Sequence, residues 1–183
     1  MSNHLETQVI RLENGLRVAV RPGGSTPQVG VAITYDVGSR NERPGASGFA
    51  HLFEHMMFQG SANVAKAEHF RLVSEWGGQA NGTTSQDRTN YYQALPSHQL
   101  ALGLWLEADR MRSLAVNAEN FENQRQTVME ERRERIDNSP YGAASVRLSE
   151  MSFSSFAYAH PVIGYWDDLE RAELDQVQDF HQT

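Results

Sequence analysis

The stretch that most restricts how this chain can fold is Gly48-Phe49-Ala50-His51-Leu52-Phe53-Glu54-His55-Met56-Met57-Phe58. Its apolar residues are spread around any helix it forms, so the segment is expected to be buried, yet it carries three ionisable side chains. Such groups are costly inside a protein unless a metal or hydrogen-bonding partners satisfy them. On a helix turning about 100° per residue, His51 and His55 lie about 40° apart and one turn along, with Glu54 beside them. Both imidazoles can therefore reach one metal ion, and the fold must bring the remaining ligands to this turn.

The order H-x-x-E-H is the inverted form of the zinc-protease motif, and it gives each residue a chemical task. Neutral imidazoles bind Zn²⁺ at roughly 2.0–2.1 Å. Glu54 is the carboxylate left over, free to take a proton from water that zinc has acidified to a pKa of about 7. The alternative is a purely structural histidine pair, and the buried flanks weigh against it.

Composition narrows the setting. The 183 residues suffice for one domain, 1–183, with a real core. With 39% apolar and 21% charged residues and no long apolar run, the chain reads as soluble and globular, without a membrane span. A net charge of −7 argues against nucleic acid as the main partner. There is no cysteine, so disulfides and thiolate zinc sites are excluded and a metal must be held by His, Asp or Glu. The start, Met1-Ser2-Asn3-His4-Leu5-Glu6-Thr7, lacks a basic region followed by an apolar one, so no signal peptide is expected. Cytoplasm and periplasm both stay open.

Taken in order, Val9 to Val20 reads as a hairpin turning at Glu13-Asn14-Gly15 and ended by Pro22-Gly23-Gly24. Val29 to Val37 is a strand whose mixed apolar sequence suggests a central position, and Gly38 to Gly48 is a polar loop into the motif helix. Ala65 to Trp76 is a helix through Phe70, Val73 and Trp76, stopped by Gly77-Gly78. His69 on it is expected to be a surface or packing residue. Ala80-Asn81-Gly82-Thr83-Thr84-Ser85 suits either a sheet edge that another backbone approaches or a plain loop, and Thr89 to Leu95 is a good strand.

Leu100 to Ala115 is an amphipathic helix with Leu100, Leu104, Ala108, Met111 and Ala115 inward. Asn117 caps the next helix, 118–137, ended by Asn138-Ser139-Pro140. A helical stretch from Gly142 to Phe153, a loop with His160-Pro161 and Gly164, and a last short helix ending near Phe180 complete one compact unit without repeats.

A catalytic zinc normally takes three protein ligands, so one more is needed from His69, His98, His160 or a carboxylate. On helix 118–137 the stripe through Phe121 and Val128 also passes through Gln124 and Glu131, while Glu130 points about 160° away. Glu131 is thus the inward acid of the pair, although on helix evidence alone both acids read more readily as solvated charges.

The run Val37-Gly38-Ser39-Arg40-Asn41-Glu42 followed by Gly48 to Ser61 resembles the amino-terminal domain of the insulinase/pitrilysin family of zinc peptidases, in its bacterial and mitochondrial-processing branch. The likeness continues through Gly77-Gly78-Gln79-Ala80-Asn81, Asp87-Arg88-Thr89-Asn90-Tyr91-Tyr92, Leu106-Glu107-Ala108-Asp109-Arg110-Met111, Val128-Met129-Glu130-Glu131-Arg132-Arg133 and His160-Pro161-Val162-Ile163-Gly164.

The resemblance implies an α+β fold, an antiparallel sheet packed against several helices with the metal site on helices. It implies Zn²⁺ held by His51, His55 and Glu131, with Glu54 as the catalytic acid and base. A peptide substrate would pair as a strand with Ala80, Asn81, Gly82 and Thr83. The family often has a glutamate where this chain has Gln124, which could serve only as a hydrogen-bonding support to the ligands. Members also use a second, related domain or subunit that supplies an Arg-Tyr pair, and relatives usually continue past the strandless end Phe180-His181-Gln182-Thr183. The chain is therefore expected to bind zinc yet cleave peptides weakly or not at all alone. The alternatives are a noncatalytic peptide-binding or assembly subunit of the same fold, and a zinc hydrolase acting on something other than peptides.

Overall fold

The computed structural model describes residues 6–23 and 25–182, with side chains placed as far as Phe180. The first five residues of the start discussed above, Gly24 of the hairpin exit and the terminal Thr183 lie outside that description.

Strands β1 (Gln8–Arg11) and β2 (Arg17–Val20) form the expected hairpin, paired antiparallel from Gln8↔Val20 to Arg11↔Arg17. Asn14 makes the turn by accepting the Leu16 amide on its side chain, and Gly15 takes a positive φ. Most of the hairpin is exposed, and it forms a sheet of its own. The second sheet is antiparallel in the order β3 (Gln28–Tyr35), β5 (Thr89–Pro96), β4 (Gln79–Thr84).

The expectation of a central position for Val29 to Val37 is corrected here, because β5 is central and β3 flanks it. Residues of β3 alternate between half-buried Val29, Val31, Ile33 and Tyr35 and exposed Gly30, Ala32 and Thr34. Small uncharged residues on the open face give an edge strand the look of an inner one. The choice left open for 80–85 resolves as a strand on the sheet's other edge.

The helices are α1 (Phe49–Met56), α2 (Glu68–Glu75), α3 (Leu100–Ser113), α4 (Ala118–Arg132), α5 (Gly142–Ser152), α6 (Phe156–Ala159), α7 (Trp166–Arg171) and α8 (Leu174–Gln182). The architecture is α+β. One core joins Phe49, Leu52 and Met56 of α1 to Phe121 and Val128 of α4 and to Leu169 and Val177. A second packs Val73 and Leu106 onto Leu95 of the sheet, and a third joins Met57, Phe58 and Tyr91. None of the helices is long and apolar enough to cross a membrane.

Asn117 caps α4 as read, accepting the Asn120 amide. The inward face of α3 is not the leucine stripe: Leu100, Leu104 and Met111 are exposed, while Gly103, Leu106, Glu107 and Arg110 are buried. Gly103 lets the helix lie close on Leu95 of β5, and the buried charges neutralise each other. Arg110 Nε donates to Glu107 Oε2 at 2.9 Å, Arg110 Nη2 to Glu107 Oε1 at 2.7 Å, and Gln93 Nε2 to the same Oε1 at 3.1 Å. On α2, Val73 and His69 face in, whereas Phe70 and Trp76 stay largely exposed. The last helix is two, α7 and α8, and a turn of helix, α6, precedes His160.

Candidate metal centre

Helix α1 is only two turns long and carries three of the residues singled out. The apolar flanks Phe49, Leu52 and Met56 pull it against α4, where Phe121 and Val128 form the facing stripe. That docking presents His51, His55 and Glu131 to one point, their ligand atoms all within 4.8 Å of one another. His55 Nε2 lies 3.3 Å from Glu131 Oε2, and His51 Nε2 lies 3.8 Å from Glu131 Oε1. Among the described residues no other group of three histidine or acidic side chains converges this way. The remaining candidates for a third ligand sit elsewhere. His69 packs on the Phe58 ring, His98 on Trp76, and His160 pairs with Glu42.

Electrostatics suit a cation. Burial, then the neighbouring His55, pull the His51 pKa from the usual histidine value down to about 4, so the ring is neutral and has a lone pair to give near pH 7. Glu131 is held below the ordinary glutamate range, first by its hydrogen bond with His55, and so stays ionised. Arg135, on the π-helical turn Arg133–Asp137 that follows α4, lies 2.7 Å from Glu131 Oε1. The His51 Nδ1 atom is buried without a hydrogen-bond partner. Two imidazoles and an ionised carboxylate around one point form the donor set that zinc takes.

Glu54, next to His55 on the same helix, reaches the sheet edge. Its carboxylate accepts the Thr84 hydroxyl of β4, and burial raises its pKa above the ordinary value. On the same strand a Cβ at Gly82 would fall 2.7 Å from Glu54 Oε1, so glycine leaves the carboxylate its present place. Gln124 is buried on α4, with its amide donating to Asn123 Oδ1 at 2.8 Å.

Several supporting residues escaped the sequence reading. Glu42 is buried and accepts the Gly48 amide at 2.8 Å and the Ala50 amide at 2.7 Å, capping a helix that has no side-chain cap from its own N-cap residue. Burial raises its pKa, and hydrogen bonds from His160 and the two amides oppose the rise. Burial lowers His160, but its bonds to Glu42 and the Phe156 carbonyl outweigh that and leave it raised. An acid before a helix start is a weak signal by itself, and its partner lies 118 residues away.

Known proteins sharpen the assignment. The chain is 37% identical over 173 residues to the Helicobacter pylori protein named zinc protease PqqE, covering 94% of this chain and 39% of that one. It is 28% identical over 179 residues to the mitochondrial-processing peptidase subunit beta of Mus musculus, covering 97% of this chain and 36% of the relative. The crystal structure of a protease from Helicobacter pylori superposes with a TM-score of 0.93 at 36% identity, over 96% of this chain and 42% of that one. The chain thus spans about two fifths of the length of these relatives. Residues 17–164 match the family model described as insulinase (Peptidase family M16), and the chain belongs to that family.

Proposed function

We propose that this chain is the metal-bearing part of a zinc-dependent endopeptidase. His51, His55 and Glu131 hold Zn²⁺, and Glu54 is the catalytic acid and base. When bound, zinc supplies Lewis acidity, bringing the pKa of water to about 7 and polarising a carbonyl. Glu54 takes a proton from the attacking water as the water oxygen bonds to the scissile carbonyl carbon. It returns that proton to the nitrogen as the C–N bond breaks. Burial lifts the Glu54 pKa toward the value such a shuttle needs, and the Thr84 hydroxyl holds the carboxylate in place.

The peptide adds as a further strand along Ala80, Asn81, Gly82 and Thr83. An edge strand offers unpaired main-chain groups there, and Gly82 lies directly over Glu54. Main-chain pairing fixes the scissile bond with little side-chain preference. Gln124 supports the ligand helix without the charge a glutamate would add, which weakens the hold on the metal. A related second domain or subunit supplies an Arg-Tyr pair that steadies the developing oxyanion, and the chain alone cleaves slowly.

The convergence of three ligand atoms beside a second carboxylate, that of Glu54, which the trio does not use and the Thr84 hydroxyl holds, carries this reading. Zinc stoichiometry and peptide cleavage test it. One zinc per chain is expected in both wild type and Glu54→Gln, with cleavage lowered about 10²–10⁴-fold in the variant. Zinc-free wild type would favour a noncatalytic peptide-binding subunit, and undiminished cleavage would remove Glu54 from the chemistry.

A further inference from the structure

Helix α1 must aim two ligands from eight residues. His55 lies roughly 10 Å along the axis from Gly48, so a tilt of about 5° at the helix start moves it by about 1 Å. Metal sites tolerate only about 0.2 Å in ligand distance. Something outside the helix must therefore set its direction, and that of α4 with it.

One short segment that contributes no ligand touches both. His160, wholly buried, places Nε2 2.9 Å from Glu42 Oε2 and Nδ1 against the Phe156 carbonyl oxygen. Both ring nitrogens face acceptors, so the pair shares a proton that lets the ring donate in both directions. Glu42 in turn holds the Gly48 and Ala50 amides, the latter adjoining His51. Farther along, Gly164 lies on Gly48 so closely that a Cβ on Gly164 would sit 2.7 Å from the Gly48 Cα. Tyr165 donates its amide to Ser47 Oγ at 2.9 Å, and the Ser47 hydroxyl donates to Asp168 Oδ2 at 2.6 Å. On the opposite side, the Gly164 carbonyl accepts Arg132 Nε at 2.9 Å, and Arg132 is the residue after Glu131.

We infer that the segment from His160 to Asp168, acting through Glu42 on α1 and through Arg132 on α4, is a clamp that sets the spacing of the two ligand-bearing helices. Glu42, His160 and Arg132 are then positioning residues of the metal centre. The inference rests on the reading that His51, His55 and Glu131 hold the metal. Glu42→Gln keeps the size of the side chain but sets an N–H against one of the donors it now accepts. Arg132→Lys keeps the charge but removes the Nε donor to Gly164.

Competition of zinc with a chromophoric chelator tests the clamp in wild type, Glu42→Gln, His160→Gln, Arg132→Lys and the double variant Glu42→Gln/His160→Gln. Each single variant is expected to bind zinc about 10–100-fold more weakly although every ligand is present. The double variant should be no weaker than the worse single one within about threefold, because the two side chains act as one device. Cobalt in place of zinc should show visible absorption altered by each substitution. Variants that stay folded by circular dichroism, bind zinc within twofold of wild type and leave the cobalt spectrum unchanged would overturn the clamp. Should Glu42→Gln not fold, Arg132→Lys carries the same test, because it leaves the Glu42–His160 pair intact. A wild type that binds no zinc removes the metal assignment instead, and hydrogen exchange then decides. Faster exchange of Gly48, Ala50 and the last turn of α4 together in His160→Gln supports the clamp, and faster exchange in α1 alone sinks it.

Discussion

Two polar clusters of this molecule, one half-buried and one buried, share an outward sign. Around α1 and α4 there are His51, His55 and Glu131, and under α3 there are His69, Gln93, Glu107 and Arg110. Burial, the leading cause in both, brings His51 and His69 alike down to about pKa 4. Yet the clusters differ in how their charges are matched. Glu107 and Arg110 face each other through paired hydrogen bonds, with the guanidinium 4.2 Å from the Tyr91 ring centroid, and His69 packs among Phe58 and Phe70. The trio of His51, His55 and Glu131 instead sets one carboxylate against two imidazoles, and both clusters leave buried polar atoms without a partner, His51 Nδ1 in one and Gln93 Oε1 and Arg110 Nη1 in the other. A depressed histidine thus marks burial, and what distinguishes the candidate site is lone-pair donors that converge on one point, where the α3 cluster pairs a cation with an anion.

That contrast can be broken most forcefully at Arg110. In Arg110→Met the Glu107 carboxylate is stranded in a buried setting, and about 3–5 kcal/mol of stability should be lost in urea unfolding. Zinc affinity should hold. A loss of zinc binding in the folded variant would show that the α3 cluster is part of the metal site after all.

Acid provides the next test. His69 has a folded pKa of about 4, depressed by burial and then by the charge on Arg110, against about 6.5 in the unfolded chain. Because the unfolded chain binds the extra proton, the contribution to stability is whole above about pH 6.5 and fades as pH falls toward 4. About 3 kcal/mol should go over that window. Unfolding curves at several pH values should show the wild type losing this much more than His69→Leu, and parallel curves would mean that His69 is not buried neutral.

At the other cluster the fold should be nearly indifferent and the metal decisive. With free zinc at a hundred times its dissociation constant, wild-type stability should rise by about 2.7 kcal/mol. Glu131→Gln should remove most of that rise while changing the metal-free protein by less than about 1 kcal/mol, since its ion pair with Arg135 reaches solvent. A large loss of stability in the metal-free variant would make the trio a structural cluster like the one under α3.

The same difference explains what could be read from the chain. Leu52 and Met56 on α1, and Phe121 and Val128 on α4, are apolar at helical spacing, so both helices and the inward place of Glu131 followed from periodicity, while its choice as a ligand came from the family resemblance. The inward face of α3 did not, because Leu100 and Leu104 are exposed and the buried face combines Gly103 and Leu106 with an ion pair. A hydrophobic pattern cannot anticipate two charges that neutralise each other. Nor could Glu42 be matched to His160, since their contact is set by tertiary folding across most of the chain.

The smallest expected effect is the most searching. In Glu107→Leu/Arg110→Met both charges leave together, so neither is stranded and the desolvation cost of the pair is recovered. Gln93 loses one acceptor but keeps the Gly103 carbonyl at 3.0 Å. The methionine sulfur replaces the guanidinium against the Tyr91 and Phe58 rings. Stability should return to within about 1 kcal/mol of wild type, and the acid-induced loss traced to His69 should shrink, because the Arg110 charge no longer opposes its protonation. No such double exchange is open to the α1–α4 trio, in which one carboxylate meets two imidazoles. If the double variant is as unstable as Arg110→Met alone, the α3 cluster is also more than a self-neutralising pair, and charge matching fails as the criterion that separates the two.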